Sequence, residues 1–272
     1  DKLETNSYFF FFKHLVFVII GIGLIFIFSY IDQENLYKIS IYIFFVSLTL
    51  LFLVPIIGVE VKGSKRWLDI FFLPRLQPIE LVKPFFIIVL SILLTFHKLK
   101  NFTLKFILTL ILTLIISFFL IIQPDLGQTL LIAFTWVVLI FISGVNLIFL
   151  SAISVIGLSL LLYFIFYVAK FEYIKNRILS FFNSETGTHN FQSDKAIESI
   201  ISGGFFGKGI GEGTLKNKVP EAHTDYIISV ISEEFGVIVI ILILILFLVF
   251  IFSIFKKVNI ENDHKTKLIL VG

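Results

Sequence analysis

Phe235-Gly-Val-Ile-Val-Ile-Ile-Leu-Ile-Leu-Ile-Leu-Phe-Leu-Val-Phe-Ile-Phe-Ser-Ile-Phe255 contains no charged residue and only one hydroxyl. A helix rises about 1.5 Å per residue, so roughly 20 apolar residues cross the hydrocarbon core of a bilayer. This stretch is long enough by itself. Six runs of the same kind precede it: Tyr8–Tyr30, Ser40–Ile57, Ile79–Phe96, Phe106–Ile122, Leu126–Ile142 and Leu147–Val168. An eighth begins at Lys267. The pattern predicts an all-α, polytopic helical membrane protein. Composition points the same way, with 58% apolar and 15% charged residues, where soluble domains carry about 45–50% and about 25%. A soluble fold of this size has no interior large enough for 35 Phe beside so much Ile and Leu.

The remaining composition excludes several classes. A balance of 22 basic against 19 acidic residues argues against a nucleic-acid partner. The absence of Cys removes disulfides, thiol catalysis and Cys-ligated metals. The chain opens at Asp1 and closes in a rising apolar run, which reads as an internal piece of a longer protein. Residues 1–272 are expected to form one integral membrane domain.

Two connections break the rhythm of short turns. Gly58–Pro78 is polar and basic, and Ala169–Thr224 is long and rich in Gly, Asn, Ser and charge. Seven crossings put both loops, and the Gln123-Pro124-Asp125 turn, on one side of the membrane. That side holds most of the basic residues, including Arg66, Arg75 and Arg177. Taken alone, the excess of Lys and Arg on cytoplasmic faces would place it inside. Cations gathered to hold an anion would spoil that count, and Arg suits bidentate phosphate binding.

Four polar clusters stand against the apolar background: Gly58–Asp69, Gln77–Pro84, Gln123–Gly127, and the Gly203–Gly213 run with Val219–Tyr226 and Glu233–Gly236. Ionisable groups at the heads of membrane helices pair with one another or line a wet cavity; the competing reading is interfacial anchoring. Glu80 and Lys83 are three apart, so a helix brings them to one face as an ion pair. Asp225 either acts as a general base, its pKa raised by partial burial, or caps the helix that follows. Glu233 and Glu234 are expected to pair with loop cations or helix ends. The glycine run lacks the strand and the Gly-Lys-Ser/Thr order of a phosphate loop and is expected to be a flexible surface loop. His223 reads as a local hydrogen-bonding partner. Trp67 could stack on a sugar face or anchor at the interface.

Taken together, these residues resemble the SEDS (shape, elongation, division, sporulation) family. Gly63-Ser64-Lys65-Arg66-Trp67, then Gln77-Pro78-Ile79-Glu80-Leu-Val-Lys83, is similar to the family's Gly-Ala-x-Arg-Trp…Gln-Pro-Ser-Glu-x-x-Lys signature, with Ile79 in place of Ser. Gln123-Pro124-Asp125-Leu126-Gly127 matches the next hallmark. Ser202–Gly209, Pro220–Tyr226 and Glu233–Gly236 match the rest, with Tyr226 in place of a common Phe. The wording of the last motifs is nearer the division branch, FtsW, than the elongation branch, RodA.

The resemblance implies a ten-span bundle, of which this chain covers about the second to the eighth span and the start of the ninth. It makes 169–224 the large extracytoplasmic loop and places the large loops outside the bacterial cytoplasmic membrane, at the division septum. The implied activity is that of an inverting peptidoglycan glycosyltransferase, which polymerises lipid II into glycan strands. Asp225 would be the catalytic carboxylate. Lys65, Arg66, Trp67, Glu80, Lys83, Asp125 and His223 would bind substrate, with a divalent cation, magnesium or manganese, as the cofactor the acidic residues leave room for. Lipid II, a class B penicillin-binding protein and other divisome proteins are the implied partners. Two rivals stay open: a flippase for lipid-linked precursors, and a non-catalytic scaffold.

Overall fold

The computed structural model describes residues 7–61, 64–69, 75–168, 171–172, 175–176, 179, 191–214 and 226–272. The chain divides into two compact units, Asp1–Val145 with Asp263–Gly272, and Asn146–Asn262. In the first unit, α1 (Ser7–Tyr30) and α2 (Gln33–Ile57) lead into an antiparallel hairpin of β1 (Val59–Val61) and β2 (Ser64–Trp67). Helices α3 (Pro78–Thr95), α4 (Phe102–Ile122) and α5 (Leu126–Ile142) follow. The last helix of the chain, α10 (His264–Val271), packs with this unit, burying Leu268 against α3 and α5.

The interior of this unit lies between helices. Phe44, Leu51 and Val54 of α2 meet Val82, Phe86 and Leu90 of α3, all fully buried. Between α4 and α5, Trp136 donates its indole N–H to Thr109 Oγ1 at 3.2 Å, and its ring lies 5.3 Å from that of Phe106. Buried hydroxyls stay satisfied in this apolar setting by donating back along their own helices. Ser40, Ser91, Thr113 and Thr129 each reach the carbonyl four residues earlier, and Ser47 and Thr109 the one three earlier. Small hydroxylated residues also let neighbouring helices approach closely. The described side chains of α1 are exposed or half-exposed throughout, as a helix facing lipid requires.

The second unit holds α6 (Leu147–Tyr167), α7 (Phe191–Gly203), α8 (Ile227–Phe235) and α9 (Val237–Ile260). Among the described residues six helices are long and apolar enough to cross a membrane, α1, α2, α3, α4, α6 and α9. α5 has 17 residues, about 25 Å of rise, and is shorter than these six helices. The chain is a multi-pass membrane protein.

Several helices run past the expected apolar stretches, α2 from Gln33 and α4 from Phe102, and two further boundaries differ for specific physical reasons. The run expected to start at Phe235 is split at Gly236, where φ is +81°. A Cβ there would fall 2.2 Å from the Phe205 carbonyl oxygen, so neither a side chain nor a continuous helix is accommodated. The final helix starts at His264 rather than Lys267. Asp263 accepts the backbone N–H and the hydroxyl of Thr266, at 3.0 and 2.6 Å, and so caps the first turn.

Candidate active site

The polar motifs of the first unit converge at one end of it. β2 pairs with β1 through Val59↔Trp67 and Glu60↔Lys65, which leaves Arg66 as the extra residue of a β-bulge. A bulge re-aims the side chain it carries. Arg66 Nε donates to the Gln123 carbonyl at 3.2 Å and Nη2 donates to the Pro124 carbonyl. Its Nε also lies 3.7 Å from Asp125 Oδ2. The guanidinium thus closes over the α4–α5 turn, satisfying carbonyls that the end of α4 leaves without helical partners.

Asp125 heads α5 and is buried. Its Oδ1 accepts the Gln128 N–H at 3.5 Å and its Oδ2 faces Gln77 Nε2 at 3.4 Å. Gln123, also buried, donates to the Leu51 carbonyl of α2 at 3.4 Å. The hairpin, the heads of α3 and α5 and the tails of α2 and α4 therefore share one membrane edge. Lys105 marks the other, where its ammonium caps α3 by donating to the Leu94 carbonyl at 2.9 Å.

On the first turn of α3, Glu80 Oε2 and Lys83 Nζ are 2.7 Å apart, the ion pair their spacing predicts. Glu80 Oε1 accepts from Gln128 Nε2 at 3.2 Å, which ties α3 to α5. Lys83 is three-quarters buried, while the Glu80 side chain is half exposed. Lys65 is solvent-exposed on β2 and Trp67 is half-buried beside it. The result is a charged corner with two separately anchored cations and two oriented carboxylates. Among the described residues no three His, Asp or Glu side chains stand close enough to hold a metal ion. Asp125 and Glu80 are each turned to a cation.

A second polar cluster lies in the second unit. Glu233 of α8 is fully buried. Its Oε1 accepts from Lys208 Nζ at 3.0 Å and from the Thr214 N–H at 2.9 Å, and its Oε2 from the Ser199 hydroxyl at 3.3 Å. Main-chain bonds run beside these: Lys208 N–H to the Glu233 carbonyl and Gly209 N–H to the Glu234 carbonyl, at 2.9 and 3.0 Å. At Gly207, φ is +76° and a Cβ would lie 2.2 Å from the Glu234 carbonyl oxygen. The glycine run is therefore docked along α8, where the sequence suggested a flexible loop. Its glycines serve close approach. The expectation that Glu233 pairs with a loop cation holds.

Asp225 and His223 lie outside the described residues. Tyr226 stands at the N-terminal boundary of α8 and makes no side-chain capping bond. Sequence reasoning missed Gln128, Ser199 and Thr214 as partners of the acidic residues. Gln128 is 48 positions from Glu80, and Ser199 is 34 from Glu233, so only the packed fold pairs them.

Comparison with known proteins decides the family. The FtsW/RodA/SpoVE family, described as "Cell cycle protein", matches residues 1–272. The chain belongs to this family. It is 34% identical over 251 residues to the probable peptidoglycan glycosyltransferase FtsW of Coxiella burnetii, covering 88% of this chain and 65% of that protein. It is 32% identical over 263 residues to the FtsW of Francisella salina that bears the same name, covering 94% and 64%. The chain thus spans slightly under two thirds of the length of these relatives. Among solved structures it resembles a chain from a peptidoglycan synthase complex described as coordinating polymerization and crosslinking, with a TM-score of 0.70 and 24% identity over 93% of this chain and 71% of that one. Thermus thermophilus RodA, a rod-shape-determining protein, follows with a TM-score of 0.60 and 24% identity over 93% and 68%. The fold is the SEDS fold.

Proposed function

We propose that the full protein is a peptidoglycan glycosyltransferase of the division type, polymerising lipid II in the bacterial cytoplasmic membrane, and that this chain carries its polar centre. The observation that carries the reading is the charged corner itself. Arg66, Asp125, Glu80 and Lys83 come from three elements and meet at one membrane edge of a chain whose relatives are named for this activity.

The chemistry asks for two things. An acceptor sugar hydroxyl loses its proton as its oxygen forms a bond to the donor's anomeric carbon. The bond from that carbon to the pyrophosphate oxygen breaks, and the leaving group departs with the electron pair. A single displacement of this kind inverts the anomeric centre and needs one base on the attacking side. Asp225 is assigned that role. The developing charge on the pyrophosphate calls for cations fixed before the reaction begins. Lys83, held by Glu80, and Lys65, exposed on the hairpin, are assigned to it. Arg66 has two of its donors on the α4–α5 turn, so its part is to hold the Asp125 head in register as well as to add positive charge. Trp67 and His223 are assigned to sugar contacts. In this reading the charged corner faces outward, so its cations serve the substrate, which is why they outvote the positive-inside count.

A class B penicillin-binding protein is the proposed partner and the septum the proposed place of action. The test is lipid II polymerisation by the purified full-length protein with its transpeptidase, wild type beside Asp225→Ala. Glycan strands from the wild type and none from a folded variant are expected. Equal product from both would move the base elsewhere. Lipid II crossing vesicles with no product from either protein would replace the polymerase with a transporter.

A further inference from the structure

The second unit exposes a set of large apolar side chains that belongs to none of its membrane spans. On α7, Ala196 and Ser199 are buried on the side that packs with α8, while Ile197 and Ile201, one helical turn apart, project away and are 54% and 73% exposed. The chain then turns through Gly203 and Gly204 to Phe205 and Phe206, which are 74% and 83% exposed, and on to Ile210 at 80%. These exposed side chains follow one another along the chain from α7, where Asp194 and Glu198 are also exposed, into the docked glycine run. Surfaces of this kind mark a contact with protein or lipid.

The place where this run is fastened identifies the contact. The Gly204 carbonyl accepts the Val237 N–H at 3.0 Å and the Phe205 carbonyl the Ile238 N–H at 3.4 Å. Both donors are in the first turn of α9, a 24-residue apolar helix with no buried residue among those described. The phenylalanine pair is therefore pinned at the level where a lipid-facing helix enters the bilayer. The cation of the same run points the other way, since Lys208 is turned inward to the buried Glu233. Apolar side chains outward with a helix beside a membrane entry point is the arrangement of an interfacial anchor, which inserts about 5–10 Å into the boundary between headgroups and acyl chains.

We propose that α7 and the Phe205–Ile210 tip form a monotopic anchor whose partner is the bilayer surface. The anchor holds the docked glycine run, and with it the Glu233 cluster, at the lipid interface. It does not depend on the chemistry assigned to the charged corner.

The test uses the full-length protein, free of partner proteins and of other cysteines, in vesicles of phosphatidylethanolamine and phosphatidylglycerol. Nitroxide labels are placed at Phe206→Cys, Ile210→Cys and, as a water-facing reference, Glu212→Cys. All three side chains are exposed, so the substitutions leave the interior intact. The expected result is an oxygen-to-nickel collision ratio several-fold higher at 206 and 210 than at 212, with a depth just below the headgroups. Equal nickel access at all three positions would overturn the proposal. So would labels at 206 and 210 that are shielded from both reagents, because the tip would then be covered by protein instead of lipid.

Discussion

At the scale of single residues, a buried charge is tolerated only when its bonds are complete. Glu233 illustrates this. Its carboxylate has no solvent exposure and takes an ammonium, an amide N–H and a hydroxyl. Glu233→Ala removes all three bonds but leaves Lys208 and Thr214 able to turn to water, so it is expected to cost about 1–3 kcal/mol, read as loss of amide protection over Gly203–Thr214 in hydrogen exchange. Unchanged protection would mean that the main-chain bonds alone hold the run. Lys83 is a different case, since its single described partner, Glu80, is half exposed and can turn to water. Lys83→Gln should leave the fold intact and slow polymerisation by the full-length protein about 10²-fold, the usual loss for one preorganised donor to a developing anion. A wild-type rate would remove Lys83 from the site.

Among the elements, the helix ends decide more than the helix middles. Asn101, Asp125, Asn146 and Asp263 each cap a helix with a side-chain oxygen. Asp263 can be followed through pH because it lies in the connection before α10. The Thr266 hydroxyl first, and then its backbone N–H, hold this carboxyl below the ordinary Asp range. A depressed folded pKa means that the cap's contribution is fully present above the unfolded value, about 3.9, and is lost as pH falls through the lower folded one. The Thr266 amide resonance should therefore shift cooperatively in acid, at a midpoint below 3.9. In Asp263→Ala the shift should vanish, with a loss of about 1 kcal/mol in the stability of α10. A midpoint above the ordinary carboxyl value would contradict the cap geometry.

On the scale of the whole molecule, the two ends of the first unit carry different cations. Lys65 stands with Arg66 at the charged corner, and Lys105 sits at the far end of α3, an 18-residue helix that rises about 27 Å. The proposed orientation sets Lys65 outside and Lys105 inside. A membrane-impermeant maleimide added to intact cells should label Lys65→Cys and spare Lys105→Cys. The opposite pattern would restore the literal count of positive charges and place the corner in the cytoplasm, where lipid II polymerisation could not occur.

Much of this was legible before any coordinates. Apolar run length is a local property, so the spans and the all-α class follow from it directly; so does the Glu80–Lys83 pair, because three residues on a helix are adjacent in space. Motif order was enough to suggest the family. What tertiary structure alone decided concerns partners far apart in the chain. The bulge that turns Arg66 onto the α4–α5 turn depends on strand register, and the Gln128–Glu80 bond depends on how α3 and α5 lie together. Gly236 reads as one small residue in an apolar run until the Phe205 carbonyl is found where its side chain would be. Likewise the glycine run reads as loose chain, because glycine marks both freedom and close approach. Only the buried carboxylate of Glu233 behind it distinguishes the two, since burying that charge is favourable only with the run docked against it.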